Sequence, residues 1–161
     1  MGSVAPDRLE AIAADVGRSA ARLIHTSTDR ATAATKSTDT DVVTATDIAA
    51  ERQIRGELQE RTPGARVLGE EDGSGVLGHG VHSDVEWVID PLDGTINFTY
   101  GVPISAVSVA AIVDGTPTAG AVVDIARGET FSAHLDGGAR LDGDTLRCNR
   151  PESMAMAMAI T

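Results

Sequence analysis

WVIDPLDGTINF, residues 87–98, sets two aspartates, Asp90 and Asp93, three positions apart, with Pro91 between them and Gly94-Thr95 directly after. The apolar run ahead of them, ending in Val88-Ile89, has the character of a buried strand. A strand that leaves the core through two carboxylates and a glycine makes either a polar turn or a cation site. Alone, D-x-x-D reads as a turn with solvated carboxylates. The second reading has its own logic. Hard divalent cations take oxygen ligands from carboxylates, carbonyls and water, so Asp90 and Asp93 can bend round an ion to which Leu92 adds its carbonyl. Pro91 stiffens such a turn. Gly94 lets the backbone approach an anion closely, and a helical turn begun at Thr95 would aim N–H groups at a phosphate.

Upstream, Leu9, Ile12, Val16, Ala20, Leu23 and Ile24 recur at helical spacing, which predicts an amphipathic helix from Asp7 to about Ser27, with Pro6 and Asp7 at its start. The Thr-, Asp- and Ala-rich stretch after it, residues 28–47, reads as a loop or loose hairpin. Thr44-x-x-Asp47 resembles a capping box and predicts a second helix there. Its body puts Ile48, Ile54 and Leu58 on one side, carries Glu51 and Arg55 as an i,i+4 pair, and ends at Thr62-Pro63-Gly64. Strands follow: Ala65–Leu68, then Val85–Ile89, separated by a Gly-rich stretch, residues 72–84, expected to be an exposed flap. Past the motif, β-branched runs alternate with Asp114-Gly115, Asp136-Gly137 and Asp142-Gly143, all hairpin signals. Two helices followed by an antiparallel meander is an α+β pattern.

The 161 residues are enough for one domain with a real core. Aromatics are only 2%, so Ala, Val, Leu and Ile must build it. The net charge of −11 argues against binding a nucleic-acid backbone, which needs clustered Lys and Arg. Cys148 is the single cysteine, so no intrachain disulfide forms, and a packed or idle thiol is expected. No apolar run reaches membrane-spanning length. These features predict a cytoplasmic protein with no membrane partner.

Asp47, Glu70, Asp90 and Asp93 each fall where a regular element meets a loop, positions that converge on one edge of a sheet. Each has a plainer reading: Asp47 as a helix N-terminal carboxylate, Glu70 as part of a polar loop, Lys36 as a surface charge. His79 and His82 lack Cys or Glu at zinc spacing.

In order, KSTDTDVVTATD (36–47), GEED (69–72) and WVIDPLDGTINF (87–98) together resemble the inositol monophosphatase family, the lithium-sensitive, Mg²⁺-dependent phosphatases related to fructose bisphosphatase. AGAVVDIARGETFSA (119–133) also looks like the family's sheet. The resemblance implies the N-terminal domain of a layered αβαβα fold and two or three Mg²⁺ per site. By similarity, Glu70 and Asp90 would hold the first ion with the Leu92 carbonyl. Asp90 and Asp93 would hold the second. Thr95, oriented by Asp47, would position or deprotonate the attacking water, and Glu70 would share the proton work. Asp93, Gly94 and Thr95 would bind phosphate, and Lys36 matches a basic loop residue near the site in relatives. A homodimer is implied as well.

Family members continue for roughly the same length again, into a second α/β layer with a W-D-x-A-A-G-like segment whose aspartate completes the second metal site; nothing like it occurs here. Residues 1–149 are accordingly expected to form the metal- and phosphate-binding domain, with 150–161, including the apolar MAMAMAIT, starting a further domain. The expected reaction is hydrolysis of a small phosphomonoester, myo-inositol 1-phosphate first. Histidinol phosphate, a sugar bisphosphate or a nucleotide 3′-phosphate is the alternative, and a truncated homologue acting as a dimerisation or regulatory partner is the non-enzymatic rival. A generic Ca²⁺ domain is disfavoured by the lack of a looped D-x-D-x-D-G pattern.

Overall fold

In the computed structural model, residues 4–27, 32–35, 42–148 and 153 are described, 32–35 and 42–43 for the backbone alone. Helix α1 runs Pro6–Thr26, with Pro6 in its first turn where the missing N–H costs nothing. Strands β1 (Thr32–Thr35) and β2 (Val42–Thr44) form a small antiparallel ribbon, the loose hairpin expected there. Helix α2 spans Ala45–Arg61. Its start is the predicted capping box: the Thr44 hydroxyl accepts from the Asp47 N–H while the Asp47 carboxylate accepts from the Thr44 N–H at 2.9 Å.

The remaining strands make one sheet: β3 (Arg66–Gly69), β4 (Ser74–Val76), β5 (Val85–Asp93), β6 (Ala106–Val113), β7 (Thr116–Asp124), β8 (Thr130–His134), β9 (Gly138–Leu141) and β10 (Asp144–Thr145). Their order across the sheet is β10-β9-β8-β7-β6-β5-β3-β4. A short helix, α3 (Thr95–Tyr100), follows β5. From β5 to β10 the chain meanders antiparallel. Asp114 and Gly115, and Asp142 and Gly143, both take positive φ at tight turns. Paired positive φ suits the twist of a two-residue hairpin.

Two helices on a mainly antiparallel sheet is the expected arrangement; within the sheet β3 and β5 pair in parallel, Gly69 opposite Ile89. One expectation needs correcting. The stretch 72–84 is not simply a flap: Ser74–Val76 turns back as β4 against β3, and Leu77 is buried. Gly-rich composition hid a three-residue strand because so short a segment shows no period.

α1 and α2 both lie on one face of the sheet. There Leu9, Ile12, Val16, Ala20 and Ile24 of α1 meet Val107, Val109, Ala121 and Val123, with Ile54 and Leu58 of α2 close to Trp87 and Ile89. Trp87 is fully buried, and its indole N–H donates to the Thr62 hydroxyl at 2.9 Å. That bond satisfies the only polar atom of the ring in the core. A buried polar lock also joins α1 to the sheet. Glu10 accepts from Ser132 at 2.7 Å and from Arg140 at 3.1 Å, and its carboxylate contacts the His134 ring. The opposite face is apolar and open: Leu68, Val76, Val122 and Phe131 are all exposed.

Candidate active site

The parallel register creates the site. Gly69 opposite Ile89 means that the next residues along each chain, Glu70 and Asp90, emerge side by side at the carboxyl ends of neighbouring parallel strands. Parallel strands leave an open crevice at those ends. The Asp90 and Glu70 carboxyl groups lie close enough to share a proton. Burial pushes the Asp90 carboxyl up to about 7, and the adjacent Glu70 and then the Asp93 charge add to the rise, against a backbone bond from Leu92. A carboxylate crowded by two others is held at a cost that a cation would relieve.

Past Asp90 the strand carries an irregularity between Asp90 and Asp93, which accommodates Pro91 beside β6. The Leu92 N–H donates back to Asp90 Oδ1 at 3.1 Å, and Leu92 itself is buried. Gly94 then adopts φ +88°, and a Cβ there would lie 2.9 Å from the Ile104 carbonyl oxygen. Only glycine meets both conditions. The turn opens α3 at Thr95 as expected, and a cavity of about 190 Å³ beside it is lined by Asp93, Gly94, Asn97 and Asp124 among others.

Thr95 Oγ1 lies 2.9 Å from Asp47 Oδ1 and 2.9 Å from the Leu92 carbonyl oxygen. Its one hydrogen serves one of these acceptors at a time. Asp47 is 1% exposed and ties the start of α2 to the start of α3. Of the residues read from the sequence, then, Asp47 and Thr95 are joined, Glu70 and Asp90 are joined, and Asp93 acts on Asp90 through its charge. Among the described residues no group of three or more His, Cys, Asp or Glu side chains stands ready-made to hold a metal ion. Lys36 and residues 154–161 lie outside the described residues. Cys148 is exposed rather than packed. A larger cavity, about 410 Å³, lies away from the carboxylates and is lined by α1 and the β7–β8 turn.

The sequence reading missed Glu51. The i,i+4 spacing of Glu51 and Arg55 carries no sign of burial, yet Glu51 is fully buried while Ile48, expected on one side with Ile54 and Leu58, is half-buried. Glu51 accepts from Arg55 Nε at 2.8 Å and from the backbone N–H groups of Glu71 at 2.8 Å and Asp72 at 3.1 Å. The signal available was a polar stripe, Asp47, Glu51 and Arg55, at steps of four.

A helix pair thus lies on a mixed sheet, with Glu70 and Asp90 where the parallel strands end and a glycine-led turn beside them. The profile of the inositol monophosphatase family matches residues 5–161, and the chain belongs to that family. It is 44% identical over 128 residues to an inositol-1-monophosphatase of Mycobacterium leprae, covering 76% of this chain and 44% of the relative. It is 40% identical over 149 residues to the Nus factor SuhB of Pseudomonas aeruginosa, covering 91% of this chain and 55% of that protein. Among solved structures, Mycobacterium tuberculosis SuhB superposes with a TM-score of 0.73 at 34% identity, over 95% of this chain and 56% of that one. The SuhB structure from Bartonella henselae gives 0.79 at 28% identity, over 89% and 55%. The chain thus spans about half the length of these relatives. Among the described residues no helix is long and apolar enough to cross a membrane.

Proposed function

We propose that this chain carries the metal- and phosphate-binding half of a Mg²⁺-dependent phosphomonoesterase whose first substrate is myo-inositol 1-phosphate. The observation that carries the reading is the junction of α2, β5 and α3, where Asp47 holds Thr95 and Asp90 stands against Glu70. The donor set suits a hard cation: the Glu70, Asp90 and Asp93 carboxylates, with the Leu92 carbonyl, are all oxygen, and their mutual repulsion is what a divalent ion offsets. Mg²⁺ bound there would acidify an attacking water and neutralise charge on the leaving oxygen.

The chain's own residues do the rest. With its hydrogen on Asp47 Oδ1, Thr95 Oγ1 keeps lone pairs to accept a hydrogen bond from the water and hold it in line with phosphorus. Asp47 is placed to receive the proton that Thr95 passes on, and Glu70 shares that work. The backbone of Gly94 and Thr95 holds phosphate oxygens, with Asp93 beside them. The open apolar face around Leu68, Val122 and Phe131 receives a second α/β layer that begins after residue 149 and completes the second metal site.

Phosphate release from myo-inositol 1-phosphate, histidinol phosphate, fructose 1,6-bisphosphate and adenosine 3′-phosphate tests this, each with Mg²⁺ and with EDTA. The 161-residue chain alone is expected to release phosphate from none of them at a robust rate. Robust Mg²⁺-dependent turnover would refute the incomplete-site claim. When the chain is joined to the C-terminal half of the Mycobacterium leprae relative, Mg²⁺-dependent release is expected, fastest from the inositol ester; none from any ester sinks the enzymatic reading. The match to proteins named Nus factor SuhB favours one second reading, a truncated inactive homologue acting as a dimerisation or regulatory partner. Intact Asp47, Glu70, Asp90, Asp93 and Thr95 speak against it, since partner binding alone has no use for them.

A further inference from the structure

Asp47, Glu51 and Arg55 lie four residues apart on α2, so they share one stripe of the helix. Each end of that stripe grips a different functional loop. Asp47 holds Thr95. Glu51 and Arg55 hold the loop 69–73, which carries Glu70. Glu51 has no exposed surface, and its two oxygens take the Glu71 N–H at 2.8 Å, the Asp72 N–H at 3.1 Å and the Arg55 guanidinium at 2.7 Å. Arg55 reaches on to the Gly73 carbonyl at 2.5 Å, and that same carbonyl accepts from the Gly69 N–H at 3.0 Å, closing the loop. The backbone presses so close that a Cβ on Gly69 would sit 2.1 Å from Glu51 Oε1 and 2.8 Å from the Arg55 guanidinium.

A fully buried carboxylate is costly to desolvate and is retained only where its partners are well placed. An apolar residue here would pack as well and would not reach the loop. We propose that Glu51 and Arg55 are positioning residues for the metal centre. They clamp the backbone at Glu71, Asp72 and Gly73 and so fix where the Glu70 carboxylate stands relative to Asp90. The inference rests on the phosphatase reading above. Through α2, the same helix that sets the Thr95 hydroxyl also sets the Glu70 ligand, so the two halves of the site move as one body.

The test is direct Mn²⁺ binding to the 161-residue chain, followed by the loss of free Mn²⁺ paramagnetic resonance signal, with amide hydrogen exchange on the metal-free protein. Glu51→Gln keeps the shape but puts an amide NH₂ where either an N–H or the guanidinium must be accepted. It is expected to weaken Mn²⁺ affinity at least tenfold, in the range seen when groups behind metal ligands are removed. Protection of the Glu71 and Asp72 amides should fall while α1 and β6 keep theirs. Asp15→Asn, which breaks only the exposed pairs to Arg18 and Arg61, should change neither. Should Glu51→Gln fail to fold, Arg55→Lys loses the fork between Glu51 and Gly73 and is expected to weaken binding about threefold or more. If the parent binds Mn²⁺ and both folded variants bind it equally well, the clamp is overturned while the metal centre stands. If the parent itself binds none, the metal-centre reading falls and the clamp's role goes with it.

Discussion

Asp47→Asn separates what this carboxylate does for the fold from what it does for chemistry. Asp47 Oδ2 accepts from the Thr44 N–H at 2.9 Å and from the Thr44 hydroxyl, and Oδ1 accepts from Thr95 at 2.9 Å. The backbone N–H of Thr44 can only donate, so the single oxygen of the new amide must face it, and the NH₂ must face Thr95. Thr95 is able to adapt, because the Leu92 carbonyl also lies 2.9 Å from its oxygen and can take the hydrogen. The Thr44 N–H and the Thr95 hydroxyl both keep an acceptor, but the second hydrogen of the buried amide gains none from these partners. The stability loss is then the difference between bonds to a charged and a neutral acceptor plus the cost of that unmet hydrogen, about 2–3 kcal/mol. For a chain of this length that is a fall of roughly 4–12 °C in Tm. The amide now occupies one of the two Thr95 lone pairs open to the water, the hydroxyl hydrogen has turned to Leu92, and no carboxylate remains to receive a proton. Activity in the completed enzyme should drop on the order of a hundred- to ten-thousandfold, the usual contribution of a positioned proton-transfer group. Urea unfolding and initial-rate phosphate release measure the two arms. A variant that folds with the expected loss yet keeps more than a tenth of the parent rate would refute the role given to the Asp47–Thr95 bond.

Gly94→Ala should cost about 1–2 kcal/mol from its left-handed backbone and more from the 2.9 Å approach to the Ile104 carbonyl; a urea midpoint unchanged from the parent would contradict it. Asp90→Asn keeps an oxygen for the Leu92 N–H but removes the repulsion from Glu70 and Asp93. It should raise the denaturation midpoint of the metal-free chain while abolishing Mn²⁺ binding, a trade expected where a site stores repulsion for a ligand. Glu10 supplies a pH dependence. Burial alone would raise its carboxyl, but hydrogen bonds from His134 and Ser132 and the Arg140 charge together hold it below the ordinary 4.5. Its stabilising contribution is therefore full above pH 4.5 and lost as pH falls through the lowered value. The parent should be more stable than Glu10→Gln at pH 7, and urea titrations at pH 7 and pH 3 should show that gap closing.

Features written in short stretches of sequence were legible. α1 follows from apolar spacing, the start of α2 from Thr44 and Asp47, and two tight turns from Asp114-Gly115 and Asp142-Gly143. Glu51 was not, because an i,i+4 Glu–Arg pair looks the same in sequence whether it faces water or a backbone loop twenty residues away. The β3–β5 pairing was not legible either, since strand direction is set by a connection across residues 70–84 that carries no helical crossover pattern.

By itself, then, the chain's sequence determined the α+β class, the starts of α1 and α2 and two of the tight turns, because capping, periodicity and turn preferences act within a few residues of each other. Tertiary structure alone decided that Glu70 stands beside Asp90, that Asp47 reaches Thr95, and that Glu51 is a buried anchor. Those relations span gaps of twenty to about fifty residues; the parallel pairing of β3 with β5 creates the first, and the packing of α2 near the ends of those strands creates the other two.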